Sequence, residues 1–467
     1  MVEFFILMKN ELVVIAIIFF LLFVKIGKSI SNDRLLPIIQ LTLLLNFVFS
    51  IFFNKEGDIS GNMFQNTPLF VFEKSILNLA VYIISLLCSG WLRKTQNLAE
   101  FFILLLSALL GMFLMISSGN LLMFYLSLEL ATIPVAAMAN FDLERRRSSE
   151  GAMKLILSSA FSSGILLFGI SLIYGASGSI GFTELSQRIS GASSLEILAF
   201  VFFFTGLAFK LSIVPFHLWT ADVYEGSPIA TTSFLSVVSK GAVAFIMLTI
   251  LYKVFHPLQE VWYNMLVALS VITMIIGNLF AIRQQNIKRF LAFSSIAQVG
   301  FILAGMSSGD KAGITATVYF ILIYLFSNLA AFGVADVIAN RCGKENIDDY
   351  KGLYGTNTFL SWMLTLALFS LAGIPPTAGF FGKLFLITAA ASKGSYWFIT
   401  VAALNMVISL YYYLRIVGAI FMGKNENPIA KIKISSPVMF GFLLCGAGII
   451  FTGFINWIYD YILSLTL

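Results

Sequence analysis

Charge is scarce in this sequence. Only 11% of its 467 residues are Asp, Glu, Lys or Arg, while 59% are hydrophobic. Soluble domains carry about 25% charged residues, so the deficit excludes a soluble globular fold. Histidine is scarcer still, with only His217 and His256, too few to support a metal site. The three cysteines, Cys88, Cys342 and Cys445, form no CxxC pair, so neither disulfide staples nor an iron–sulfur cluster is expected. Nucleotide signatures are missing as well. GASGSIG (175–181) is glycine-rich but follows an apolar run and reads as a connector. GFFGK (379–383) lacks both the Walker spacing and the following Ser or Thr. No GxGxxG follows a plausible strand. The net charge of +6 is spread over short loops, and no nucleic-acid partner is expected.

What the sequence has in abundance is long apolar runs. A membrane-crossing helix needs about 20 mostly apolar residues. Fourteen segments meet that requirement, from 11–27 and 35–53 through 195–217 and 228–252 to 358–391, 396–422 and 437–463. The first run resembles the core of a signal peptide. Lys25 and Lys28 follow it without a small-residue cleavage site, so it reads as a retained span. Fourteen spans put both termini on one side of the membrane. Seventeen of the 29 Lys and Arg residues then fall on one set of alternating loops, seven (including Lys9, Lys74 and Lys253) on the other, and five inside apolar segments. By the positive-inside rule the termini are expected on the non-cytoplasmic side. The fold class is therefore an all-α polytopic membrane protein of about 14 transmembrane helices.

Ionisable residues inside such helices are costly, roughly 2.5–3.5 kcal/mol at the centre of a span, and mark transport paths. Glu129 sits mid-span one turn before Pro134. It reads either as a helix–helix polar contact or, with a lysine close by, as a proton carrier, and the second reading is favoured. Lys210 precedes Pro215, which cannot donate to the carbonyl of Leu211, so the helix is weakened beside a charge. Freed backbone groups in a membrane need protein or water to satisfy them, which points to a hydrated cavity. Lys240 lies a dozen residues into its span, too deep to snorkel, with Thr232, Ser236 and Ser239 near enough to support water. Lys383 follows a second break at Pro375 and Pro376. Paired interruptions in two halves of a chain are the mark of inverted-repeat transporters.

Other candidates are weighed beside these. Lys154 stands four residues from Glu150, as an ordinary helical ion pair or a functional one. His217, just past Pro215, fits a proton relay as well as a packed polar residue. Arg415 reads as an interfacial anchor or a subunit contact, and Asp336, near a helix end, reads as solvated. A lysine in water titrates near 10.4. Burial lowers that value and a nearby carboxylate raises it, so a buried Glu–Lys pair can act as a proton switch. A shift of two pKa units supplies about 2.7 kcal/mol, against about 2.3 kcal/mol to move one charge through 100 mV. No energy source lies in the sequence, so the drive must come from a partner or an ion gradient.

PFHLWTADVYEGSP (215–228), the lysine of SVVSKG (236–241) and LAGIPPTAGFFGK (371–383) together resemble the antiporter-like membrane subunits of proton-pumping NADH–quinone oxidoreductase, respiratory complex I, and among them the subunit N family. The resemblance covers essentially the whole chain. It implies two inverted five-helix repeats with helices 7 and 12 broken. On that pattern 1–97 is an N-terminal three-helix segment, 98–253 the first repeat (helices 4–8), 254–422 the second (helices 9–13), and 423–467 the C-terminal helix. It also implies that Glu129, Lys210, Lys240 and Lys383 carry the proton path, with His217, Lys154 and Gln298 as further candidates. Ala221 stands where many relatives have proline, and Gln298 where they often have histidine, which bears on the central relay. The resemblance implies no cofactor in this chain. FMN, iron–sulfur clusters and quinone would lie in partner subunits of the complex, whose quinone reduction would drive transport in a bacterial inner membrane. A stand-alone or Mrp-type cation/proton antiporter is the alternative.

Overall fold

A computed structural model of the chain describes residues 2–27, 30–52, 55–59, 61–191, 193–455 and 457–466. Lys28 lies outside the described residues. Twelve helices are long and apolar enough to cross a membrane. Two more spans complete the expected fourteen. The first, Lys9–Ile26, is an 18-residue helix that carries Lys9, Glu11 and Lys25. The twelfth is split into Thr358–Ala372 and Ala378–Ala391. One departure from an all-helical chain is a hairpin of Gly57–Ile59 (β1) with Phe64–Asn66 (β2), antiparallel with Asp58 opposite Gln65.

Loop contacts agree with alternating crossings. Glu3 pairs with Lys55 at 2.7 Å, and Leu465 shares a cavity with Glu56 and Pro68, so both ends of the chain meet the loop between spans two and three. Backbone bridges Phe64–Ser118 and Asn120–Gly181 join three loops at that end, and Asn286–Asn346 joins two at the other.

The interior is built around the eleventh span, Lys311–Cys342, whose apolar window is 100% buried, and the tenth, Ile287–Met306, at 94%. A helix apolar all round belongs in the middle of a bundle. By contrast the sixth span, Arg146–Ser177, is only 39% buried and turns Leu157 and Phe161 outward, as lipid contact requires. Small residues let helices approach. A Cβ on Gly111 of the fourth span (Leu98–Ile116) would strike the backbone of Ala131 in the fifth (Leu121–Ala139), and one on Gly277 of the ninth (Gln259–Arg283) that of Ala297 in the tenth. The same device thus recurs at equivalent positions of two five-helix sets.

Several basic and acidic residues lie elsewhere than expected. Lys9 and Lys74 were assigned to loops, yet Lys74 is fully buried in the third span (Pro68–Leu87) and pairs with the equally buried Glu11 at 2.6 Å. Lys9 reaches the carbonyls of Ser50 (3.3 Å), Phe49 and Phe52, capping the end of the second span (Asn32–Ile51). Asp336 is only 3% exposed rather than solvated, because the eleventh helix continues six residues beyond it.

Candidate functional site

The seventh span, Ser194–Leu211, stops earlier than its apolar run because Ser212 adopts a left-handed φ of 65°. Its freed groups find partners. Ile213 N–H donates to Ala208 O (2.9 Å), Val214 N–H to Thr273 Oγ1 (3.2 Å), and Trp219 Nε1 to Phe209 O (3.1 Å). The break leaves Lys210 in the last turn, only 9% exposed, where its ammonium donates to Thr132 Oγ1 at 2.8 Å and Ser159 Oγ at 2.5 Å. Glu129 lies one turn from Thr132, half-buried, with its Oε1 atom buried and lacking a hydrogen-bond partner. No direct ion pair joins Glu129 to Lys210 among the described residues; Lys210 is held by the two hydroxyls instead.

A cavity of about 30 Å³, whose mostly apolar wall includes Lys210, Thr132, Ser159 and Ser239, adjoins this lysine. That is room for a water or two. Ser239 precedes Lys240 in the eighth span, Ile229–Val254, and the helix winds as a π-helix from Phe234 to Ser239 before returning to α-helix at Lys240. Such widened turns gather at functional sites. The Lys240 ammonium donates to Ser295 Oγ at 2.8 Å and lies 5.5 Å from the centre of the Tyr224 ring. Ser236 is used elsewhere, bonding Tyr324 and Asn328, and Thr232 donates to Tyr224 O.

Ser295 and Gln298 lie three apart on the tenth span, so both face one side. Gln298 Nε2 donates to Leu371 O at 2.9 Å and Tyr413 Oη at 3.2 Å. Lys383, fully buried, donates to the same Leu371 carbonyl at 2.7 Å and to Ala372 O at 3.2 Å. These carbonyls end the first half of the twelfth helix, which stops at Gly373 with φ 85°. A helix C-terminus carries partial negative charge and suits a cation. Polar groups therefore run from Glu129 past Lys210, the small cavity and Lys240 to Ser295, Gln298 and Lys383.

Two candidates stand beside this line. His217 is buried with its Nδ1 unpartnered. Lys154 joins a surface cluster instead, pairing with Glu150 at 2.8 Å and Asp222 at 2.7 Å. Arg289 bonds Asp222 and Glu225, each at 2.8 Å, and Arg147 bonds Glu225 at 3.0 Å. Asp222 lies on the short helix Leu218–Gly226, outside the spans. Burial pushes its carboxyl up, but Lys154 and Arg289 outweigh that and hold it below the usual value. Arg415 caps the ninth helix through Ile282 O (2.6 Å) and Gln284 O (3.1 Å). The hydroxyl partners Thr132, Ser159 and Ser295 carry no signal in sequence, since serine and threonine are common in membrane helices. Among the described residues no group of three or more His, Cys, Asp or Glu side chains could hold a metal ion.

Residues 118–409 match the family described as NADH:quinone oxidoreductase/Mrp antiporter, TM. The NADH-quinone oxidoreductase subunit N of Phocaeicola vulgatus is 47% identical over 87% of this chain and 87% of its own. This chain belongs to that family. The subunit N of Azobacteroides pseudotrichonymphae, another member, is 46% identical over 92% of this chain and 91% of its own. Among solved structures, a chain of the Thermus thermophilus respiratory complex I with bound aureothin superposes with a TM-score of 0.80 at 25% identity, covering 95% of this chain and 96% of that one. A chain of the Mrp complex from Dietzia sp. gives 0.84 at 20% identity over 98% and 96%, a likeness of fold alone. The antiporter-like architecture, with breaks in its seventh and twelfth spans, is thus the family's fold.

Proposed function

We propose that this chain is the proton-translocating subunit N of a respiratory NADH–quinone oxidoreductase. Glu129, Lys210, Lys240 and Lys383 carry protons through hydroxyls and water, with Gln298 and His217 as relays. One observation carries the reading: three buried lysines on three different helices are held by side-chain hydroxyls and helix-end carbonyls, one of them beside a small cavity, rather than being paired off by acids. A lysine held this way can change its charge when its surroundings move, whereas one locked to a carboxylate cannot do so cheaply. The chain acts as a non-redox subunit, a translocase component. FMN, iron–sulfur clusters and quinone belong to the partner subunits, and quinone reduction there supplies the energy. It sits in a bacterial inner membrane with both termini on the non-cytoplasmic side.

The fold shared with the Mrp chain keeps a cation/proton antiporter as the second reading. Affinity purification in mild detergent separates the two. Co-purification of flavin and iron–sulfur absorbance with NADH–quinone activity is expected. Sodium-dependent proton exchange by the chain without those partners would contradict the proposal.

A further inference from the structure

Away from the line of lysines, another buried acid faces a cavity. Glu73, on the third span, is 1% exposed, and its Oε2 atom has no hydrogen-bond partner. Its neighbour Lys74 is not available to it, being turned into Glu11 at 2.6 Å. Glu73 instead lines a cavity of about 330 Å³ between the start of the third span, the end of the eighth and the C-terminal Leu465 and Thr466. The other polar residues of its wall are Thr67, Thr249, Tyr252, Lys253 and Thr466, with Glu56 exposed at its edge. The Lys253 ammonium lies over the Phe70 ring, 5.5 Å from its centre, at the same wall.

The cavity lies farther along the eighth span than the central lysine, its wall beginning at Leu248, about 12 Å along the axis from Lys240. Leu77 reaches within 3.5 Å of where a Cβ on Gly241 would stand, beside Lys240. Glu73 is one turn before Leu77, about 6 Å along the helix axis at 1.5 Å per residue. Its carboxyl therefore stands between the level of Lys240 and the cavity, at the end of the bundle where both chain termini lie. An unpartnered carboxylate buried in a membrane helix is costly unless it has work to do.

Resting on the subunit N reading, we infer that Glu73 is a proton-relay carboxylate joining Lys240 to the face that bears the termini, through this vestibule, with Lys253 as counter-charge. The Lys240 ammonium gives a proton through water to the Glu73 carboxylate, leaving a neutral amine and a carboxylic acid. The acid then releases the proton to vestibule water, and the carboxylate formed is balanced by the Lys253 ammonium.

The test is made on the assembled enzyme in proteoliposomes, measuring protons moved per NADH oxidised alongside electron transfer. Glu73→Gln should lower that ratio as far as Lys240→Ala does while electron transfer continues, and Glu73→Asp should recover part of it. A wild-type ratio in Glu73→Gln, with Lys240→Ala deficient, overturns the vestibule and leaves the subunit reading standing. Wild-type ratios in both overturn the proton path through Lys240 on which the inference rests. A second measurement stands even if Glu73→Gln does not assemble. Thr249→Cys, on the cavity wall, should react with a membrane-impermeant methanethiosulfonate applied to the face bearing the termini. No reaction from that face overturns the vestibule.

Discussion

Lys74→Ala should be the most damaging single change in the N-terminal three helices. Lys74 and Glu11 are both fully buried and lie 2.6 Å apart, linking the third span to the first. Removing the ammonium leaves the Glu11 carboxylate in an apolar surrounding, and its Oε2 atom already lacks a partner. Breaking a buried pair from one side costs about 3–5 kcal/mol. At about 1.4 kcal/mol per factor of ten, the ratio of folded to unfolded chain falls by roughly two to four orders of magnitude. Replacing both residues is different, since an apolar pair of similar volume is neutral or stabilising by about 1–4 kcal/mol. Lys74→Met combined with Glu11→Leu should therefore recover most of the loss. The assay is the temperature at which this subunit leaves the purified complex, followed by gel filtration. The reasoning is refuted if the double variant is as unstable as Lys74→Ala, or if Lys74→Ala alone leaves that temperature unchanged.

Three further outcomes are expected. Gly379→Ala would drive a Cβ into the Ser370 carbonyl oxygen, forcing the halves of the twelfth helix apart; the subunit should assemble poorly, as read by its yield in the purified complex. Gln298→Leu removes the hydrogen bonds to Leu371 O and Tyr413. At about 1 kcal/mol for each of the two bonds, proton translocation should slow by between about fivefold and about thirtyfold with electron transfer less affected, whereas an unchanged rate would remove Gln298 from the path. Asp222 titrates below its usual value in the folded chain, so its stabilising contribution is fully present above the unfolded pKa of about 3.9 and is lost as pH falls through the lower folded value. The difference in thermal midpoint between the natural chain and Asp222→Asn should accordingly be constant from about pH 8 to 5 and shrink below about pH 4.

That Lys210, Lys240 and Lys383 lie buried within the bundle was legible because charge inside a long apolar run is rare and its cost is known. Both breaks were legible for a similar reason, since Pro215 and the Pro375–Pro376 pair interrupt runs that otherwise continue. What could not be read was which helix faces which. Lys240 was expected to draw on Ser236 and Ser239 of its own helix, yet its partner is Ser295, 55 residues away. The partners of Lys210, Thr132 and Ser159 on two other helices, were hidden for the same reason. Lys9, Glu11 and Lys74 lie near helix ends, where a linear reading assigns water. Packing of the first three spans takes that water away, and Asp336 is buried likewise by the length of its helix. The hairpin at Gly57–Asn66 had no hydrophobic alternation to announce it.

The central claim is that deeply buried lysines carry protons across the membrane. The most direct measurement is the number of protons moved per NADH oxidised by reconstituted enzyme carrying Lys240→Ala. A lowered ratio with electron transfer still running is the expected result; an unchanged ratio would contradict the account.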